Sequence, residues 1–278
     1  MTQLTPDLIR KLDTISLAIF DVDGTLSHHD GSISEETTKA LGRLSQAGYT
    51  IVIASGRTAP HVAGIFERIG TDGYAIGSNG ANTIRTSDMT EVDANPIPSD
   101  TFHELLEYAH AEGIEMTVFG HTGMYSAEPG PGHDLLTQIN DEEPTIIDLA
   151  ELADGGALKI MLYAEEEDMP GVKKRLLERF PQAVQTLPNF LEVNAAEVTK
   201  WTAIAPLLEH LRVDPAHVLG IGDSENDLAW LPNVGLPVAV ANAYDHVKDL
   251  CELVIGDAED DGVAEFIHSW LDARDSST

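Results

Sequence analysis

The sequence predicts an α/β protein, a doubly wound parallel sheet interrupted by an α+β insert, and three observations carry that prediction. Short apolar runs alternate with amphipathic helical stretches through residues 17–77, the rhythm breaks from about residue 83, and it resumes after Asn194. Strands separated by helices pair in parallel through right-handed crossovers. The breaks assign residues 1–82 and 191–278 to the core and residues 83–190 to the insert.

Leu17 to Phe20 reads as the first strand. Ser34 caps a helix with Glu35 and Glu36 in its first turn, Leu41 and Leu44 facing inward and Gly48 at its end. Tyr49 to Ala54 is a second strand. Thr58 and Pro60 open another helix, with Val62, Ile65, Phe66 and Ile69 at helical spacing and Gly70 behind it. Tyr74 to Gly77 is a third strand. Within the insert, strands are expected around Met116 to Phe119, Met124 to Ala127, Leu158 to Tyr163 and Val184 to Leu187. Helices are expected near Asp100 to Glu112 and Gly171 to Phe180. Glu128-Pro-Gly-Pro-Gly132 reads as a loop, and the acidic run Glu165 to Asp168 as a solvated helix start. Beyond Asn194, His217 to Gly222 and Leu236 to Val240 are strands, and a helix from about Val263 to Leu271 closes the chain.

At 278 residues, 42% of them hydrophobic and 6% aromatic, the chain can bury a core and needs no long disordered tract. A single cysteine, Cys251, permits no intrachain disulfide and fits a reducing compartment. Met1 to Arg10 lacks the cationic-then-apolar pattern of a signal peptide, and no apolar run nears the roughly 20 residues that cross a bilayer. A soluble, cytoplasmic protein is the expectation. The 47 acidic residues against 16 basic ones give a net charge of −31. Nucleic acid and anionic membrane are therefore poor partners. A small anionic substrate then needs a local cluster of cations. Such acidity suits a salt-rich, halophilic cytoplasm, where the Debye length falls to about 3 Å at 1 M, or an ordinary acidic protein; composition leaves both open.

The most informative stretch is Asp21-Val-Asp23-Gly-Thr25-Leu26, directly after the first strand. Side chains two apart on an extended segment point the same way, so Asp21 and Asp23 can face one pocket. One carboxylate can attack phosphorus while the other shuttles a proton, and the pair can help hold a hard cation such as Mg2+. Gly24 permits a sharp turn, and the Thr25 hydroxyl can donate to a phosphate oxygen. Three further segments place polar residues where an apolar strand ends or a helix begins, where open α/β sheets bind ligands. Ser55, Gly56 and Arg57 are candidate phosphate contacts, offering a hydroxyl and backbone N–H groups at a helix entrance. Lys200 stands at the start of a helix over Ala203 to Leu211, where it opposes the helix dipole and so suits an anchor. Gly222-Asp223-Ser-Glu-Asn226-Asp227 is rich in carboxylates, with Asp223 a metal ligand and Asp227 its support.

Taken in order, Asp21 to Leu26, Ser55 to Arg57, Lys200 and Gly222 to Asp227 match the four motifs of the haloacid dehalogenase-like phosphatase superfamily. Ser78-Asn-Gly-Ala81, Val238 to Ala243 and Asp261 to Ala264 resemble its Cof-type subgroup, subclass IIB, in which a large α+β cap is inserted into a Rossmann-like core. The resemblance spans residues 15 to 271. It implies Asp21 as a nucleophile forming an aspartyl-phosphate, and Asp23 as the acid that protonates the leaving alkoxide and later activates water. It implies Ser55 and Lys200, with groups near Asp23 and Gly56, as phosphoryl holders. Mg2+ would sit on Asp21, the Asp23 carbonyl and Asp223, with Asn226 and Asp227 orienting the ligands, Lys200 or phosphate. Trp201 departs from the glycine usual after the lysine, which reshapes the pocket rim.

Elementary electrostatics agrees. Two carboxylates and a dianionic phosphate share a pocket only if cations intervene, each unit-charge pair at 4 Å being worth about 4 kcal/mol at an effective dielectric near 20. The expected function is Mg2+-dependent hydrolysis of small phosphorylated metabolites, sugar phosphates first. A phosphosugar mutase of the same superfamily would need cap cations for a second phosphate. The candidates are Arg85, Lys159, Lys173, Lys174, Arg175 and Arg179, the last four on one helix that reads as a solvated face. A catalytically idle phosphometabolite-binding regulator is opposed by the complete set Asp21, Asp23, Lys200 and Asp223. Asn79 is a candidate pocket contact at the domain junction, and His28-His29 reads as a solvated loop. One of His103, His110, His121 and His133 is open to substrate contact; no motif selects among them.

Overall fold

The computed structural model describes residues 4–276; Met1 to Gln3 of the N-terminal stretch and the last two residues lie outside them. The chain opens with α1 (Pro6–Leu12), β1 (Leu17–Phe20), α2 (Glu35–Gln46), β2 (Thr50–Ala54), α3 (Ala59–Ile69) and β3 (Tyr74–Gly77). A hairpin follows, β4 (Asn82–Arg85) and β5 (Thr90–Ala94). Next come α4 (Ser99–Glu112), β6 (Glu115–Gly120), β7 (Met124–Ser126), α5 (Pro131–Asn140), β8 (Thr145–Ile146), β9 (Ala157–Tyr163), α6 (Met169–Arg179), β10 (Val184–Leu187) and β11 (Phe190–Asn194). The last section holds α7 (Lys200–Leu211), β12 (Val218–Gly222), β13 (Leu236–Ala239), α8 (Asp245–Lys248), β14 (Leu253–Val254) and α9 (Gly262–Asp275).

Two sheets result. The first has the order β14-β13-β12-β1-β2-β3-β4-β5 and is parallel from β14 to β3. The hairpin β4–β5 extends it antiparallel, although residues 83–94 were expected in the insert. The reason is local: Tyr74 to Gly77 and Asn82 to Arg85 are close enough in sequence to pair as neighbours after a tight turn. The second sheet, β10-β11-β9-β6-β7-β8, is antiparallel apart from β7 with β8. It takes in β11, of which Leu191 to Asn194 were expected in the returning core.

Local chemistry sets the helix boundaries. The Ser34 hydroxyl accepts from the Thr37 N–H at 2.9 Å, as expected of an N-cap. Thr58 caps α3, Pro60 lies in its first turn, and Gly70 at φ 73° ends it. Helix α5 takes the last two residues of the stretch read as a loop and runs on to Asn140. Pro131 is its first residue, and the Glu115 carboxylate on β6 accepts the N–H groups of Gly132 and His133. Glycine is required at Gly132 because a Cβ there would stand 2.6 Å from the Tyr163 side chain. Among the described residues no helix is long and apolar enough to cross a membrane.

The first sheet carries one apolar cluster, including Phe20, Phe66, Trp230, Phe266 and Trp270. The second sheet carries its own around Phe102, Ile160, Leu162 and Leu176. Strand β1 lies between β2 and β12, with Phe20 opposite Ile53 and Ile221. The chain therefore leaves the carboxyl ends of β1, β2 and β12 side by side at Asp21, Ser55 and Asp223.

Candidate active site

Asp21 follows the last residue of β1, and its N–H donates to the Ile221 carbonyl on β12 at 3.0 Å. Its side chain is buried. Lys200, wholly buried at the start of α7, donates to Asp21 Oδ1 at 2.5 Å and to Asp227 Oδ1 at 2.8 Å. It lies 3.2 Å from Asn226 Oδ1. Burial pulls the lysine down, but Asp21 and Asp227 more than offset this and hold it above its ordinary value. Burial pushes Asp21 well above the usual carboxylate range; Lys200 opposes the shift, and Asp227, Asp223 and Asp23 add to it.

Asp227 uses both oxygens. Oδ1 accepts from Lys200 and from the Trp230 indole N–H at 2.9 Å, and Oδ2 accepts the backbone N–H groups of Asp223 and Ser224 at 2.9 and 3.1 Å. Asp223 lies beside it and accepts from the Thr25 hydroxyl at 3.1 Å. Its carboxyl is pushed up to about 6, chiefly by burial and then by Asp227. Gly24 turns the chain at φ 82°, and a Cβ there would meet Asp223 Oδ2 at 2.7 Å.

Oxygens of Asp21, Asp223 and Asp227 lie within 4.8 Å of one another. Since Asp227 is saturated with donors, the free ligand capacity belongs to the other two. Asp21 Oδ2 is buried and has no hydrogen-bond partner among the described residues. A buried carboxylate oxygen without a donor, beside a second carboxylate, is costly unless a cation meets it. The all-oxygen donor set suits a hard cation such as Mg2+, so the residues present fit that ion.

The Asp23 carboxylate is not part of this cluster. Half-exposed, it pairs with Arg57, whose Nη2 donates at 2.6 Å, and it lies 3.4 Å from the Ser55 hydroxyl. From this chain, then, Asp23 has only its backbone carbonyl to offer the cation site. Arg57, expected on phosphate, is held as a clamp on Asp23; on its other side it donates to His61 Nε2 at 2.9 Å. Burial and then the Arg57 charge push His61 below its ordinary value, which leaves that nitrogen free to accept. Ser55 is wholly buried and accepts the Arg57 N–H at 3.2 Å. Asn79, at φ 58°, reaches across the junction: its amide accepts from Asn226 at 3.1 Å and donates to Glu192 Oε1 at 2.8 Å. A Cβ on Gly56 would lie 3.3 Å from Asn79 Oδ1.

The second sheet covers these residues. A cavity of about 350 Å³ lies between the two sheets, with Asp21, Asp23, Gly56, Arg57, Asn79 and Asn226 on the core side. Phe119, Leu136, Ile139, Lys159, Met161 and Glu192 line the cap side. Of the six cap cations named from sequence, Lys159 alone lines it. Arg85 pairs with Asp88, Arg175 with Glu112 and Arg179 with Glu104. Sequence reasoning gave Glu192 and Trp230 no role. The available signal was a charge inside an apolar strand, as in Ala157-Leu-Lys159-Ile-Met-Leu and Phe190-Leu-Glu192-Val. The four insert histidines do not line the cavity, and His121 is held by Glu91 and the Gly155 carbonyl. The His28-His29 loop is tied down, with His28 Nε2 3.1 Å from Asp261 and the His29 N–H on Glu259.

A family model described as haloacid dehalogenase-like hydrolase matches residues 18–267. An HMP-PP phosphatase of Yersinia pseudotuberculosis (serotype O:1b, strain IP 31758) is 27% identical over 265 residues, 92% of this chain and 95% of that protein. A haloacid dehalogenase-like hydrolase from Bacteroides thetaiotaomicron has the same fold, with a TM-score of 0.85 at 22% identity over 92% of this chain and 99% of that one. So does a subclass IIB sugar phosphatase, with a TM-score of 0.75 at 20% identity over 92% and 98% of the two chains. The match covers both core segments and the cap between them, and the chain belongs to the haloacid dehalogenase-like hydrolases.

Proposed function

We propose that this chain hydrolyses small phosphorylated metabolites, with sugar phosphates the leading class, through an aspartyl-phosphate on Asp21 and with Mg2+ as cofactor. The observation that supports the reading best is the state of Asp21. One oxygen is fixed by a buried lysine, and the other is buried without a donor beside Asp223.

Mg2+ held by Asp21, the Asp23 carbonyl and Asp223 would supply charge to offset the crowded carboxylates and the phosphoryl group. The remaining roles fall to the chain. Lys200 orients Asp21 and opposes the upward push that burial gives its carboxyl. Ser55 and Thr25 offer hydroxyls, and Asn226 an amide, to the phosphoryl oxygens or to the groups that hold them. Asp23, held by Arg57 at the cavity wall, gives a proton to the leaving oxygen and later takes one from the attacking water. Asn226 and Asp227 hold Lys200 and the Asp223 backbone. Phosphoryl transfer asks mainly for positioning and charge stabilisation, and these residues serve both needs.

The cavity lies near the lower end of the usual ligand range of about 300–1,000 Å³, which supports a compact substrate. The name of the Yersinia relative, HMP-PP phosphatase, agrees with a small phosphorylated metabolite. The mutase reading is weaker, because Lys159 already faces Glu192 and no other named cap cation lines the cavity. The deciding experiment is hydrolysis of an aryl phosphate with Mg2+, after chelation, and by Asp21→Asn. Turnover should vanish on chelation, return with Mg2+ and be absent in the variant. Near-native turnover by Asp21→Asn, in a preparation cleared of contaminating phosphatase, would remove the nucleophile from the scheme.

A further inference from the structure

We infer that Lys159 and Glu192, two side chains of the cap, recognise the leaving group and select a neutral, hydroxyl-bearing one. This rests on the phosphatase reading above and adds the chemistry of the group that departs.

Both residues are buried charges with apolar neighbours in sequence, 4% exposed between Leu158 and Ile160 on β9 and 7% exposed between Leu191 and Val193 on β11. A buried ion pair seldom stabilises a fold more than apolar side chains of the same size would. A pair kept in such a place therefore calls for a use.

Their unused valences face the cavity. The Lys159 ammonium has three N–H donors. One donates to the Gly56 carbonyl on the core at 2.5 Å, and the ammonium stands 3.9 Å from the centre of the Phe119 ring. That carbonyl bond is its single hydrogen bond among the described residues. Glu192 Oε1 is occupied by Asn79 at 2.8 Å and Asn194 at 2.7 Å. Among the described residues its other oxygen, Oε2, meets only Lys159, at 3.8 Å, too far for a hydrogen bond. A donor and an acceptor so spaced are bridged by one hydroxyl, which accepts from the lysine and donates to the carboxylate at about 2.8 Å from each.

Charge balance sets the class of leaving group. Lys159 and Glu192 cancel, and Arg57 is matched by Asp23. A leaving group carrying its own phosphate or carboxylate would find no unmatched cation there, whereas a polyol would find a donor, an acceptor and the faces of Phe119 and Met161 for its carbon skeleton. The pair is also wired to the phosphoryl end. Glu192 binds Asn79, Asn79 binds Asn226, and Asn226 lies against Lys200.

The test compares kcat/KM on a panel of sugar and polyol monophosphates with kcat/KM on p-nitrophenyl phosphate, whose leaving group has no alcohol hydroxyls. In Lys159→Met and in Glu192→Gln the ratio of the best hydroxylated ester to the aryl ester should fall about 10- to 100-fold, as expected for one lost hydrogen bond to a charged group. The loss should fall mostly on KM. Glu192→Gln keeps the side-chain volume and the Asn79 contact, so it decides the matter if Lys159→Met does not fold. An unchanged ratio overturns the inference. So does a wild-type enzyme that hydrolyses the aryl ester but prefers an organic diphosphate or acts on no hydroxylated ester, with the phosphatase reading left standing. A wild-type protein inactive on every phosphate ester with Mg2+ removes both.

Discussion

Asp227 makes four hydrogen bonds without leaving the interior: to Lys200, to Trp230 and to the backbone of Asp223 and Ser224. Asp227→Asn keeps the shape, removes the charge facing Lys200 and turns one acceptor into a donor aimed at N–H groups. Breaking a buried pair from one side costs about 3–5 kcal/mol. Urea melts of Asp227→Asn should show a loss of that order together with loss of turnover; native stability would mean that Asp21 alone holds Lys200. A second prediction concerns Asp223, which titrates near 6 in the folded, metal-free protein, against its ordinary 3.8. Between those values the folded state binds the extra proton, so stability falls as pH rises through the window, and the penalty is fully present above about 6. Asp21 is shifted in the same direction. A cation relieves the penalty only where the carboxylates are ionised. The rise in melting temperature on adding Mg2+, at matched ionic strength, should be larger near pH 7.5 than near pH 5. A larger rise at the lower pH would count against Asp223 as a ligand.

At the scale of elements, the turn after β3 determines where α7 begins. Gly80 adopts φ 102°, and a Cβ there would meet the Thr199 carbonyl oxygen at 2.1 Å and the Lys200 Cα at 3.1 Å. Gly80→Ala must therefore displace the backbone that carries Lys200. Beyond a backbone cost of about 1–3 kcal/mol, we expect kcat to fall by more than about 10-fold, since misplacement by 1 Å can cost about 100-fold. A variant with a lowered melting temperature but unchanged kcat would show that Lys200 tolerates the shift. Elements were legible in the sequence where their cause was local. Strands β1, β2 and β12 are apolar runs ending in polar residues, and α2 and α3 have their caps within reach. Helix α5 was not legible, because its cap is Glu115 on another strand and its Gly132 answers to Tyr163. The edge strand Thr90-Glu-Val-Asp-Ala94 was hidden by its exposed, polar residues. In the site, Asp21, Lys200 and Asp223 stood out because carboxylates and a lysine at element ends invite a chemical reading. The clamp of Arg57 on Asp23 and the pairing of Lys159 with Glu192 depend on which strands become neighbours, β1 beside β2 and β9 beside β11, which no local pattern encodes.

For the molecule as a whole, the net charge of −31 is the dominant electrostatic fact. Several of the few cations are already committed, Lys200 and Lys159 inside and Arg43, Arg85 and Arg175 to acidic neighbours. The remaining carboxylates repel across the surface, and salt screens that repulsion. Melting temperature should therefore climb from low to molar KCl, whereas a flat or falling series would mark the acidity as neutral for stability. The cap is threaded into the core rather than appended to it, since the chain leaves the first sheet after Ala94 and comes back to it through α7 and β12. Two tethers make its meeting with Asp21 a first-order event. Its effective concentration is set by chain length, in the millimolar range for short links, and is indifferent to how dilute the enzyme is. A lid of this kind cannot be titrated away: each molecule carries its own cover at a constant local dose.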